Sequence, residues 1–401
     1  MPDKTETSEA LVVGGGPAAL TAAIALAQTG IGTVLAGKRP PRADNRTTAL
    51  LAGSIAALET LGVWELCATN AAPLVTMRLV DDTGRLWRAP EVKFEAHEID
   101  LDAFGYNIEN PVLIDALEAR ARALPNLRTI DDEVTAVEPG EDAVTITLRS
   151  GAQLAAPLVI GADGRNSMCR AAAHIETSEH KYHQVALTVC LRHTRPHRDT
   201  STEFHTTTGP FTLVPLPGNR SSLVWVLRPH EADELHALGD DELALEIERA
   251  AHSILGKITV EPGRALFPLS TKTAARFGAH RIALVGEAAH VIPPIGAQGL
   301  NLGLRDAVTI ADLAGRAHDE GRDIGADDVL IAYDRARRGD VASRGLVIDV
   351  ANRTLLSDFL PLQGLRGLGL YALEKIGPLR RAVMREGVAP RARKPQRNSA
   401  I

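Results

Sequence analysis

The chain begins with apolar runs broken by glycines. ALVVGGGPAALTAAIALAQTG followed by TVLAG reads as a buried strand, a glycine turn, a helix over Pro17–Gln28 and a second strand. This is a βαβ opening of a dinucleotide-binding domain. Apolar residues at three- and four-residue steps predict helices within 50–62 and 111–124, the second with Pro111 in its first turn. Strands are expected near 75–80 and 85–88, and short strands alternate up to APLVIGADG. From 183 to about 269 the pattern becomes β-rich, with QVALTVCLRH, FTLVPLP, SSLVWVLRP and GRALFPL separated by Pro/Gly turns and one helix over about 240–254. That predicts a mostly antiparallel sheet. RIALVG and LNLGLRDAVTIADLAGRA then return to a buried strand and a helix, and the last fifty residues read as helical.

The expected fold is α/β with a discontinuous Rossmann-like domain. That domain takes residues 1–75, 111–180 and 276–345; 76–110 and 181–275 form a β-rich substrate domain, and 346–401 a helical C-terminal region. A length of 401 residues agrees with more than one core. The formal net charge of -6 leaves no basic excess to hold a nucleic acid. Three cysteines (Cys67, Cys169, Cys190), far apart and without a CxxC pair, argue against a disulfide framework and for a reducing compartment. The uncharged stretch 10–27 is not a membrane span, because Gly14-Gly15-Gly16-Pro17 would break a helix in its middle. The preceding tail is acidic, unlike a signal peptide. A cytosolic protein, or one attached to the cytosolic membrane face, is expected.

Three motifs carry candidate chemistry. In Gly14-x-Gly16-x-x-Ala19 the first Gly permits the tight turn, the second lets backbone approach a pyrophosphate, and the third small residue lets helix and strand pack closely. The helix N-terminus adds N–H donors and a positive dipole end. The acidic residue expected at the end of the second strand, to accept from the adenosine ribose, is missing: that position is Gly37. Either adenosine binding is weakened or another group takes the role, and on the first alternative an acid restored at 37 should tighten binding. The second motif is LVIGADGRNSMCR, where Asp163, Gly164, Arg165, Ser167 and Arg170 follow a strand end and suit phosphate and ribose oxygens. The third is RIALVGEAAHVIPPIGAQGLNLGLRDA. Its strand delivers Glu287, Pro293-Pro294 and Gly296 follow, and Gly299-Leu300-Asn301 begin a helix whose N–H groups suit the pyrimidine edge of a flavin.

In this order and at these distances, the motifs resemble those of class A flavoprotein monooxygenases, and among them the UbiH/UbiF family of ubiquinone-biosynthesis hydroxylases. NRTTALLAGSIAALETLGVW, GYNIENPVLIDAL, GPFTLVPLPGNRSSLVWVL, YDRARRGD and RTLLSDFLPLQGLRGLGL carry the resemblance over nearly the whole chain. It implies non-covalent FAD, NAD(P)H as a transient co-substrate, and oxygen transfer to an aromatic ring from a flavin C4a-hydroperoxide. The implied ring belongs to a polyprenylated ubiquinone precursor. Gly14, Gly16 and Ala19 would hold the pyrophosphate, Arg46 phosphate or ribityl oxygens, and Asn110 would sit near the flavin. Asp163 and Gly164 would serve FAD and the nicotinamide cofactor. Glu287 would take the ribityl hydroxyl where the family usually has Asp. Pro294 and Gly296 would lie by the reactive edge, and Trp225 would either line the substrate pocket or sit in the core. Two other readings are a hydroxylase of a soluble aromatic compound and a non-catalytic accessory protein that keeps the fold.

No metal site is expected. His193 and His197 read as a surface pair, His290 as a structural hydrogen-bonding residue, and Cys169 as a thiol that Arg170 would acidify. Leu365, Leu368, Ala372, Ile376, Leu379 and Val383, interleaved with Arg366, Lys375, Arg380, Arg381 and Arg385, suit either a peripheral membrane surface or helices packed on the catalytic domains. Gly377-Pro378 would split this segment into two helices.

Overall fold

The computed structural model describes residues 5–40, 46–84, 90–294, 298–356 and 377–388. The expected strand at 85–88, Gly296 and the stripe residues 365–376 lie outside them. Two large sheets organise the α/β fold. The first is six-stranded, in the order Gly278–Ala279, Ile282–Leu284, Leu158–Gly161, Ala10–Val13, Thr33–Ala36, Leu127–Ile130. Every pairing is parallel except that of Gly278–Ala279. Its central strands are buried throughout, as covering both faces of a parallel sheet requires. Helices Pro17–Gln28 and Gln298–Asp319 pack together, and their close approach depends on small residues. A Cβ on Gly303 would stand 3.1 Å from the Gly286 Cα and 3.6 Å from the Ala18 methyl.

The second large sheet is nine-stranded and mostly antiparallel; its core strands are Thr177–His193, Arg220–Leu227, Pro210–Leu216 and Ala265–Ala274. One pairing, Thr200–His205 with Thr76–Asp81, is parallel. Two helices lie between Arg220–Leu227 and Ile258–Val260 where one was expected: Pro229–Ala237 and Asp240–Ala250. Pro229 opens the first, and its short amphipathic pattern was hidden in a segment read as turn. Leu243 and Ile247 of the second pack with Leu223 and Leu227 of the sheet in a separate core. A small sheet, Thr47–Leu51 with Gly105–Glu109 and Ala72–Pro73, lies at the junction. Thr47 Oγ1 donates to Ser222 Oγ at 2.8 Å, and Asn107 Nδ2 to the Pro215 carbonyl at 2.9 Å, which ties this sheet to the large antiparallel one.

Candidate active site

The parallel strands end together. Gly14 N–H donates to the Ala36 carbonyl at 2.9 Å, Ala162 N–H to Val13 at 2.8 Å, and Val285 N–H to Gly161 at 2.9 Å. The residues just beyond, Gly14–Gly16, Gly37, Asp163–Gly164 and Gly286–Glu287, therefore share one edge, where ligands of open α/β sheets bind. Gly14 has φ +138°, and a Cβ there would collide with the Ala162 carbonyl oxygen. One on Gly15 would collide with the Lys38 carbonyl oxygen. Gly16 is the N-cap of helix Pro17–Gln28, and the space beside it is open. Ala19 is buried, 3.2 Å from where a Gly14 Cβ would stand. This cradle, with open space at the helix start and first-turn N–H groups that have no partner among the described residues, fits a pyrophosphate.

Gly37 departs from its expected part. Its φ is not in the left-handed region, so backbone conformation alone does not demand glycine. Space does: a Cβ would stand 2.5 Å from the Gly14 carbonyl carbon and 2.9 Å from its Cα. The expectation that an acid at 37 tightens binding is corrected on this ground.

Asp163 accepts from Ser167 Oγ at 2.5 Å and from the N–H groups of Met168 and Cys169 at 2.7 and 3.0 Å. It caps the short helix Met168–Ala172 and holds the turn at Gly164 (φ +80°). Three of roughly four lone-pair positions are thus engaged within the protein. Arg170 is buried, and its guanidinium donates to the Ala288 and Arg165 carbonyls at 2.8 and 3.0 Å. It clamps two loops together and is not a free phosphate ligand, which corrects its sequence reading. Nor does it acidify Cys169: burial, with Asp163 beside it, pushes that thiol well above its ordinary range.

Glu287 is exposed between buried Gly286 and Ala288, and its carboxylate has no partner among the described residues. Its loop is fixed from behind. Fully buried Asp306 accepts from Gly286 N–H at 3.1 Å, His290 Nε2 at 2.6 Å and Arg337 Nε at 2.6 Å. Burial raises the Asp306 pKa, but His290 and Arg337 outweigh it and hold it below the ordinary carboxylate range. Arg337 also donates to Asp340 at 2.8 Å, and the Tyr333 hydroxyl donates to the Leu284 carbonyl at 2.7 Å. Both come from helix Asp327–Leu356. Sequence reasoning missed Asp306, Tyr333 and Arg337 as site residues, although LNLGLRDA and YDRARRGD contain them.

Gly299, Leu300 and Asn301 lie in the first turn of Gln298–Asp319. The Asn301 side chain is spent on scaffolding: its Oδ1 accepts from Leu51 N–H at 2.9 Å, and its Nδ2 donates to the Ala49 carbonyl at 2.8 Å. Pro294 is exposed, and residues 295–297 after it lie outside the described ones. Asn110 begins helix Asn110–Arg122, and its Oδ1 accepts from Thr48 Oγ1 at 2.7 Å. Arg46 is exposed with its guanidinium 5.7 Å from the Phe267 ring centre, so it reaches the antiparallel sheet.

Trp225 is partly buried and faces the helix-covered core of the antiparallel sheet. It packs with Leu223 and Leu227 against the helix-covered core and lies 5.0 Å from the Phe211 ring. Side chains alternate along a strand. The opposite face therefore carries Ser222, Val224 and Val226, and the cross-strand partners of this last row are Ala186 and, beyond it, Phe267. Arg46 meets that face. On that face Val226 is fully buried, whereas Val224 and Phe267 keep partial exposure, so these two are the candidate substrate wall in place of Trp225.

His193 is buried rather than superficial, paired with Ser221 Oγ at 3.0 Å and the Arg195 carbonyl at 2.8 Å. Among the described residues no group of three or more His, Cys, Asp or Glu is arranged to hold a metal. No described helix is long and apolar enough to cross a membrane.

An FAD binding domain family matches residues 7–342. Ubiquinone hydroxylase UbiL of Rhodospirillum rubrum is 34% identical over 96% of this chain and 90% of its own. The 3-demethoxyubiquinol 3-hydroxylase of Escherichia coli is 31% identical over 95% and 98%. Among solved structures, p-nitrophenol 4-monooxygenase PnpA of Pseudomonas putida superposes with a TM-score of 0.79 at 20% identity, covering 97% of this chain and 100% of its own, and so shares the fold. With the nucleotide cradle at the strand ends and relatives spanning both chains nearly end to end, the chain belongs to the UbiH/UbiF-like class A flavoprotein monooxygenases and is an FAD-dependent aromatic-ring hydroxylase.

Proposed function

We propose that the protein hydroxylates the ring of a polyprenylated ubiquinone precursor, consuming NAD(P)H and O2 and releasing NAD(P)+ and water. The observation that carries this reading is the near end-to-end likeness to two hydroxylases named for ubiquinone or its precursor. Bound FAD, reduced by NAD(P)H, supplies the activation of O2. The side chains bind, orient and exclude water, and no side-chain nucleophile is required. Gly14, Gly16 and Ala19 form the pyrophosphate cradle. Arg46 and Glu287 take phosphate and ribityl oxygens, and Asn110 sits near the flavin. Asp163 and Gly164 shape the loop beside them. The N–H groups of Gly299, Leu300 and Asn301, with Pro294, face the reactive ring system; Gly296, assigned to the same edge from the sequence, lies outside the described residues. Val224 and Phe267, both partly exposed, offer an apolar wall for the substrate. Deleting the gene in its host should cause an under-hydroxylated polyprenyl quinone precursor to accumulate; an unchanged quinone pool would remove this substrate.

The open Glu287 carboxylate motivates a site test. Glu287→Gln keeps length but not charge, whereas Glu287→Asp keeps charge and shortens reach. The Gln variant should lose roughly tenfold or more in flavin affinity, from a hydrogen bond to a charged group of about 1.5–3 kcal/mol. The Asp variant should lose less, and equal small losses in titrations of both would take Glu287 out of the site.

A lipid-linked substrate implies that the protein works at a membrane surface, and this contact is part of our reading. Helix Gly377–Val388 offers less to it than its sequence promised. Met384 is buried with Ala96, Ile99 and Phe104. Arg380 pairs with Glu98 and sits 4.9 Å from the Phe94 ring centre, and Arg385 lies 3.8 Å from Asp100. Arg380 serves packing, whereas Arg381 and Arg385 are exposed, and Arg381 makes no ion pair among the described residues. Truncation after Asp358 should therefore uncover the Ile99–Phe104 surface and destabilise the sheet. Met384→Ala should loosen the helix by about 2–3 kcal/mol, read as faster proteolysis of the C-terminal segment. Unchanged cleavage would mean that the helix does not dock.

A further inference from the structure

We propose that Asp131 supplies the ribose-binding carboxylate that Gly37 lacks; this rests on the FAD assignment and extends it to a residue of this chain. Strands Thr33–Ala36 and Leu127–Ile130 are parallel neighbours with Ala36 opposite Ile130. Gly37 and Asp131 therefore leave the sheet side by side, about 4.8 Å apart in the hydrogen-bonding direction. Gly37 N–H donates to the Ile130 carbonyl at 3.2 Å, and Arg39 N–H donates to Asp131 Oδ1 at 3.3 Å. The Asp131 carboxylate is thus held against the turn that follows Gly37.

Both residues line one cavity of about 240 Å3 together with Gly14, Gly15 and Glu118. The cavity adjoins the pyrophosphate cradle on the side where the adenosine half of a dinucleotide extends. At position 37 the Gly14 backbone leaves no room for a side chain. An acid one strand over meets the same space without that collision.

Other carboxylates nearby are already committed. Glu118 is paired with Arg39 Nε at 2.8 Å and with Arg122 at 3.5 Å. Asp115 pairs with the Arg39 guanidinium at 2.5 Å. Asp131 makes one long backbone hydrogen bond and no ion pair among the described residues, so its remaining lone pairs are open to the 2′- and 3′-hydroxyls of the adenosine ribose.

The test is a double-perturbation titration. Apo-protein, wild type and Asp131→Asn, is titrated with FAD and with FAD analogues lacking the adenosine 2′- or 3′-hydroxyl, following flavin fluorescence, with thermal melting as the folding control. For FAD, Asp131→Asn should weaken binding about ten- to hundredfold. For at least one deoxy analogue the loss should shrink to within about threefold, because the partner hydroxyl is already gone. An equal loss on FAD and both analogues, or no loss on FAD, overturns the assignment. So does an analogue-dependent loss in Glu118→Gln that is absent from Asp131→Asn. A wild-type protein that takes up no FAD would overturn the cofactor assignment as well.

Discussion

Asp306→Asn is expected to destabilise the protein by about 3–5 kcal/mol, the cost of removing one partner from a buried ion pair. Asp306 has no exposure to water and accepts from three donors on three elements. The amide keeps the shape but removes the charge, so Arg337 becomes a buried cation with only Asp340 opposite it. One acceptor oxygen is also exchanged for a donor, and either Gly286 N–H or a side-chain donor loses its partner. The effect should reach the ligand edge, because Gly286 carries Glu287. Equilibrium urea unfolding of the apo-protein measures the stability, and FAD titration measures the loop. The double variant Asp306→Asn, Arg337→Met should recover part of the loss, since removing both charges of a buried pair is far less costly than removing one. A single-variant loss under about 1 kcal/mol, or strictly additive losses in the double variant, would show that the pair is not a unit.

This network also shows where the sequence stops being informative. The strand–turn–helix opening was legible because a glycine turn between two apolar runs has few other structural solutions, and Gly14, Gly16 and Ala19 lie at its bend. The antiparallel sheet was legible from alternation and turn residues. What escaped were pairings between distant elements. Asp306 is one acid in a helix with apolar neighbours, and nothing local reveals that His290 and Arg337 close on it from 16 residues before and 31 after. Arg170 and Asp163 were read as ligands because charged side chains at a strand end suit phosphate. The structure spends them on carbonyls and a helix cap, since a sharp turn must satisfy its own backbone groups first. Trp225 illustrates a different limit. Its strand was found, but which face of a two-sided sheet meets the cofactor domain depends on packing, and a period of two gives each face equal claim.

Gly37 is the position at which structure and sequence give opposite signs, and this makes it the sharper test. From the sequence alone, Gly37→Glu replaces a missing ribose ligand and should tighten FAD. From the structure, any side chain at 37 must displace the carbonyl of Gly14, because the Cβ would stand 2.5 Å from that carbon. Forcing an extra methyl into a packed site costs about 1–3 kcal/mol. Here the strain falls on the turn whose N–H groups face the pyrophosphate, so it should appear in cofactor affinity more than in global stability. The comparison of two variants separates the causes. Gly37→Ala adds the collision without a carboxylate, and Gly37→Glu adds both. We expect Gly37→Ala to weaken FAD by about tenfold, the affinity equivalent of about 1.4 kcal/mol. Gly37→Glu should do no better, since it meets the same obstruction and brings its charge near Asp131. If Gly37→Ala binds FAD as the wild type does, the turn yields without cost and the steric account is wrong. If Gly37→Glu binds more tightly than wild type, the carboxylate belongs at position 37 after all and Asp131 has no vacancy to fill.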